Sequence, residues 1–242
     1  AASEHSKCVA VAHKEGATLL TRRLHDLLKR EEWFRTVVLW KRYPQLRPPE
    51  TEKLAFDIAQ AYFHLMDLAH AEEILNRLYK QSQDSVWSQR VMLEIMRLWA
   101  ERGDTNAIKK IMRWLTSHEH TLYRQEMLLI VADIQSRQGD ASSARQTLAS
   151  IAPEDLMPEL RPTYWHTQAN INQKLHHWHA AASAWQYLAG LNKGNKKWDY
   201  TYAQAHATLQ SKDYLKAGRI LMQIPESARN DAWHYTLAMC AL

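Results

Sequence analysis

A ladder of small residues recurs along this chain every 35 to 37 positions: Thr36, Ala71, Ala107, Ala144, Ala181 and Ala217. Four residues after each stands a large apolar side chain: Trp40, Leu75, Ile111, Leu148, Trp185 and Leu221. Three further on comes another: Tyr43, Leu78, Trp114, Ile151, Leu188 and Ile224. The i, i+4, i+7 spacing is the buried stripe of an amphipathic helix. A matching series precedes it, formed by Leu24, Ala59, Met96, Ala132, Ala169, Ala205 and Ala241. Two helices per repeat follow. One such pair cannot bury its apolar stripe alone, so neighbouring pairs must stack on each other.

Breakers fall between the two helices of each pair. Gly103-Asp104 and Gly139-Asp140 join a residue suited to left-handed backbone with a helix-capping carboxylate. The equivalent turns read Lys29-Arg30-Glu31, Met66-Asp67, His176-His177 and Lys212-Asp213. Between pairs lie Pro44 to Pro49, Ser82-Gln83-Asp84, Pro153 to Pro162, Gly190 to Gly194, and Pro225. These signals predict helices over 17–29 and 32–43, 50–65 and 68–81, and 85–102 and 104–117. They continue over 119–138 and 141–150, 162–174 and 178–190, 196–211 and 214–224, and from 229 to the end. Residues 1–16 read as a tail or a lead-in helix. Residues 17–242 read as one superhelical domain, with units near 17–48, 49–84, 85–118, 119–158, 159–194 and 195–228 and a partial unit over 229–242.

Composition agrees with an all-α fold. Only 6 glycines and 7 prolines occur in 242 residues, too few for the tight turns of an all-β chain. The net charge of +5 is dispersed, and Lys109-Lys110 and Lys196-Lys197 are the longest basic runs. No nucleic-acid partner is expected from so scattered a pattern. No apolar run reaches the ~18 residues of a membrane span. Two cysteines, Cys8 and Cys240, make no disulfide framework. They slightly favour a reducing, cytoplasmic compartment and leave the periplasm open. The opening Ala1-Ala2-Ser3 and the apolar ending at Leu242 suggest a piece of a longer protein.

The stretch Ala59-Gln60-Ala61-Tyr62 through Asp67, Ala71, Leu75 and Leu78 resembles a tetratricopeptide repeat. So does Ala132 through Gly139-Asp140, Ala144, Leu148 and Ile151. The resemblance covers roughly residues 17 to 242, with a period longer than the family's ~34. It implies a right-handed α-solenoid of about six antiparallel helix pairs plus a final helix. It also implies a non-catalytic scaffold that binds a peptide, helix or domain in a concave groove lined by the first helix of each pair. Bacterial segments of this kind serve secretion, envelope assembly or regulation. The family's groove register falls on Lys53, Asp57, Gln60 and His64, then on Arg90, Glu94 and Arg97. It continues on Asp133 and Arg137, on His166, Asn170 and Lys174, and on Tyr202 and His206. Phe56, Phe63, Glu101, Glu126 and Gln210 share the face. The family's chaperone-tail clamp is not expected: His166 and Asn170 stand in register, but Ala203 occupies the next clamp position.

No catalytic motif is present. The chain lacks a Gly-rich phosphate loop, G-x-S-x-G and H-E-x-x-H. Neither cysteine has a sequence neighbour that would activate it. No cofactor is expected. Among the 13 histidines, His176, His177 and His179 cluster around Trp178 and offer imidazoles for zinc or copper. The turn between paired helices is a solvated place with no cysteine beside it. A metal- or ligand-sensing domain built on such turns is the alternative reading, and a weak polyanion binder resting on the +5 charge is a third. The ten tryptophans include Trp40, Trp114 and Trp185 of the ladder, so they read as core rather than as a stacking platform.

Overall fold

The computed structural model describes residues 2–46, 52–82 and 86–241, with side chains from residue 13 onward. The expected breaks at 47–49 and 83–84 and the thiol of Cys8 lie outside the described residues. The protein is all-helical, with no strand among the described residues. Its helices are α1 (Ala2–Lys29), α2 (Trp33–Arg42), α3 (Glu52–His64), α4 (Leu68–Gln81) and α5 (Val86–Arg102). They continue as α6 (Ala107–Ser117), α7 (Arg124–Arg137), α8 (Ala141–Ala149), α9 (Arg161–Lys174) and α10 (Trp178–Leu191). The last three are α11 (Gly194–Gln210), α12 (Tyr214–Leu221) and α13 (Asp231–Cys240). They fall into two compact units, Ala1–Asp104 and Thr105–Leu242.

In the first unit each helix packs on its chain neighbour, from α1 against α2 to α4 against α5. The helix α1 runs unbroken through residue 16, where a lead-in segment is expected to meet the first pair. Its Gly16 faces the short 3-10 turn Pro44–Leu46, and a Cβ there would come within 3.2 Å of Leu46. Arg102 of α5 pairs with Glu72 of α4 at 2.5 Å, and Ser82, at the end of α4, donates its hydroxyl to Glu52 of α3 at 2.8 Å.

In the second unit the same neighbour packing runs from α6 to α13, and α7 also meets α9 as α11 meets α13. One cluster gathers Ala169, Ala181, Ala184, Trp185, Leu188 and Ala207. The next gathers Ala205, Ile220, Leu221, Ile224 and Trp233. Trp233 Nε1 donates to the Leu221 carbonyl at 2.9 Å, which satisfies its one polar atom inside the core.

The ladders map onto this packing. Thr36, Ala71, Ala107, Ala144, Ala181 and Ala217 are all completely buried, as are Leu24, Ala59, Met96, Ala132, Ala169 and Ala205. The seventh member, Ala241, is exposed at the end of α13. Each predicted turn carries one residue in the left-handed region: Glu31, Met66, Gly103, Gly139, His176 and Lys212, at spacings of 35, 37, 36, 37 and 36. At every one, the following amide reaches back to a carbonyl of the preceding helix. Asp67 N bonds Tyr62 O at 2.9 Å, Asp140 N bonds Gln135 O at 3.0 Å and His177 N bonds Asn172 O at 2.8 Å. This is the Schellman closure that reverses a helix with its last carbonyls satisfied. Asp140 and Asp213 then cap the next helix through bonds from Ser143 N at 3.0 Å and Lys216 N at 3.2 Å. Three helices begin or end three or more residues inside their predicted spans. α6 starts at 107, after a turn over Thr105 and Asn106; α7 starts at 124 after turns over 119–123; and α12 ends at 221.

Two substitutions test these constraints by urea unfolding. Ala144→Leu adds bulk where no space exists, and should cost about 1–3 kcal/mol. Gly139→Ala meets no atom within 4 Å, but its φ of +89 is unfavourable for any Cβ-bearing residue. A loss of about 1 kcal/mol is expected there from backbone strain alone. Exposed Gln146→Ala, as control, should stay within about 0.5 kcal/mol of wild type.

Candidate functional site

On α3, Lys53, Asp57, Gln60 and His64 follow at i, i+4, i+7 and i+11, one stripe of a helix. They line a cleft of about 350 Å³, closed on its other side by His25, Leu28 and Lys29 of α1 and by Trp33 at the start of α2. The His64 ring stacks on Trp33 with centroids 4.5 Å apart and planes 9° from parallel. Phe63 meets the edge of His64 at 6.2 Å. Asp57 is half-buried, and desolvation pushes its carboxyl above the ordinary 3.8 against the opposing pull of Lys53 and His25. The cleft thus offers two lysines, two imidazoles, an amide and one carboxyl around a stacked aromatic pair.

Four of these lining residues were not among the expected groove positions. Their signal was available. Gln60 and His64 stand one and five residues after Ala59, and the same offsets from Leu24 give His25 and Lys29. Trp33 reads as architecture from its shared register with Trp178 and Tyr214, whereas it forms one wall of the cleft.

On α5 the expected face is tied up internally. Glu94 is buried and accepts a hydrogen bond from Arg97 at 2.8 Å, with Arg90 Nε 3.9 Å away. The Arg90 guanidinium lies 5.9 Å over Phe56, which tilts against Trp87 at 5.1 Å. Glu94 therefore serves as an anchor for two arginines and presents no carboxylate of its own.

In the second unit, Asp133 and Arg137 of α7 pair at 2.7 Å. Lys174 of α9 donates to the Ser136 carbonyl at 2.5 Å, which stitches α9 to the end of α7. His166 lies 3.2 Å from the Asn170 amide nitrogen, edge-on to Trp185 at 5.3 Å and to Tyr200 at 6.4 Å. Trp185 and Tyr200 stack at 5.7 Å. Burial holds the His166 pKa below 6.5; Asp133 opposes the shift and Lys196 adds to it. Tyr202 shares a hydrogen bond with Thr236 of α13 at 2.9 Å, and His206 is half-buried on α11. Glu126 is buried, with one carboxylate oxygen lacking a hydrogen-bond partner.

The histidine turn lines a shallow depression with Gln210, Ser211 and Lys212. His176 takes the left-handed position and meets the Trp178 ring edge at 5.2 Å; His177 is the N-cap of α10 without a side-chain cap bond. Among the described residues no three His, Cys, Asp or Glu side chains are grouped to hold a metal ion. Cys240 is half-buried, and desolvation raises its thiol pKa, which disfavours the thiolate. Trp40 and Trp185 are buried, while Trp114 is half-buried and stacks on His118 at 4.0 Å. No helix of the described residues is long and apolar enough to cross a membrane.

The described residues define an all-helical protein in which helices that follow one another within each compact unit pack together. No family model matches the chain, and no curated protein matches it.

The two shifted groups predict opposite pH responses. His166 binds its proton less tightly folded than unfolded, so its share of stability is present above pH 6.5 and is lost as pH falls through the folded value. Asp57 binds its proton more tightly folded, so its share is present below 3.8 and is lost as pH rises through the folded value. Melting curves across pH should show a His166→Gln chain losing less stability on mild acidification than wild type. They should show Asp57→Asn at least as stable as wild type at neutral pH.

Proposed function

We propose that the hairpins stack as a right-handed α-solenoid of the tetratricopeptide kind and that the protein is a non-catalytic scaffold for a protein or peptide partner. The observation that carries this reading is the α1–α3 cleft. Four residues placed by the groove register of the resemblance line one concavity, and the same register extended to α1 supplies two more. Its volume of about 350 Å³ suits one or two side chains of a partner and lies at the small end of ligand sites. A stacked Trp–His pair beside lysines and a carboxyl is the mixture of rigid aromatic and polar groups found at recognition hot spots. The buried small-residue ladders and the repeated left-handed turns support the stacking.

Affinity capture from a lysate of the source organism, followed by mass spectrometry, tests the scaffold. Lys53 and His64 are both exposed, so Lys53→Glu with His64→Glu changes the cleft without touching the core. A specific protein held by wild type and lost from this variant is the expected result. Partners retained in full by the variant would place recognition elsewhere, and absence of any specific partner would overturn the scaffold reading. Arg97 is a poor probe of the groove. Arg97→Met leaves the buried Glu94 short of its hydrogen-bond donor, and should cost about 1–3 kcal/mol in urea unfolding whatever its effect on binding.

A further inference from the structure

Each second helix of a pair shows two outward positions, two residues before and two after its small ladder residue, and both are exposed in every unit. The later position holds Glu73, Lys109, Gln146, Ser183 and Arg219. That is the composition of a solvated helix face. At this position the first unit alone departs, carrying Val38, 44% exposed. One turn earlier it carries Phe34, 70% exposed, which only Leu215 of α12, 77% exposed, matches among the other units. Stacking of repeats does not account for this pair. α4 and α10 have helices packed on both sides, yet their equivalent residues, Ala69 with Glu73 and His179 with Ser183, stay exposed.

Phe34, Val38 and Leu39 floor a groove of about 440 Å³ between α1 and α2, with Arg23, Arg35 and Arg42 among its lining and no carboxylate. Arg35 is already paired with Glu32 at 2.7 Å, and Arg42 lies 5.7 Å from the Tyr43 ring centroid. None of these residues lines the α1–α3 cleft.

We propose that this groove docks an amphipathic helix of a partner protein, with an apolar stripe entering between α1 and α2 and flanking Asp or Glu side chains meeting the arginines. A helix is the shape that seats between two packed helices, ridge into groove, with anchors at i, i+4 and i+7. Acidic flanks follow from charge complementarity with Arg23 and Arg42 of the rim. An anionic bilayer fits less well, because Glu31 and Glu32 stand at the start of α2, where a flat negative surface would press on them.

Selection of displayed helical peptides of about five turns, with apolar and flanking positions randomised, tests the proposal on the intact chain. Recovered sequences should carry an apolar stripe flanked by Asp and Glu. A synthetic peptide of the recovered consensus should bind the Phe34→Ser, Val38→Ser chain at least about tenfold more weakly than wild type. It should also weaken with added salt and lose affinity for an Arg23→Glu, Arg42→Glu chain. Lys53→Glu should leave it unchanged, which separates this groove from the α1–α3 cleft. The substituted residues are exposed, and unchanged circular dichroism melts would confirm the fold of each variant. The proposal fails if no recovered peptide depends on Phe34 and Val38, or if the flanks recovered are neutral or basic. It fails equally if these residues drive cosedimentation with phosphatidylserine vesicles, or if sedimentation shows them joining two copies of the chain.

Discussion

Within each compact unit the structure depends on how closely neighbouring helices approach at one small residue. Thr36 and Ala71 in the first unit, and Ala144, Ala181 and Ala217 in the second, expose no surface at all. A small side chain there lets backbones draw near, and the residue four positions on, such as Leu75, Leu148 or Trp185, is buried as well. Interiors are close-packed, so one methylene too many would propagate into both neighbours. The left-handed turn completes this arrangement. Within a unit it turns the chain back in a few residues, so that the next helix packs on the one before it. That four of the six turns use Glu31, Met66, His176 and Lys212 rather than glycine shows how firmly the packing dictates backbone there.

Much of this was legible in the residues, because it rests on periodicity and on punctuation. Small and large apolar residues recur in register, and the turn dipeptides stand where the helices reverse. The parts that were not legible have local causes. The start of α6 moved because the chain makes a further turn over Thr105 and Asn106 before the helix begins. The burial of Glu94 was hidden because a carboxylate on a predicted outer stripe says nothing of the two arginines that enclose it. Trp33 looked structural because its register repeats, yet a register fixes only direction. What the direction faces is set by α1, whose side chains complete the cleft.

Polar side chains on the first helices divide into two kinds. Asp133 with Arg137, Glu94 with Arg97, and Lys174 with the Ser136 carbonyl are already satisfied within the fold. To meet a partner these groups would have to exchange one interaction for another, and exposed exchanges of that kind yield little net affinity. The groups of the α1–α3 cleft differ. Asp57 is partly stripped of water without a close ion-pair partner, and His64 is fixed by stacking rather than by a salt bridge. Unfilled polar capacity held in a rigid place is what a binding site needs and a structural network lacks.

The same distinction separates the outer faces. On most second helices the outward residues are charged or small, and water is their partner. Val38 leaves apolar surface in water where the other repeats carry charged or polar residues, and Phe34 does so where only α12, with Leu215, does the same. Because the packing of neighbouring helices does not bury these positions, their character is free to vary without cost to the fold. The surface with the least structural duty is therefore the one whose composition says most about what lies outside the chain.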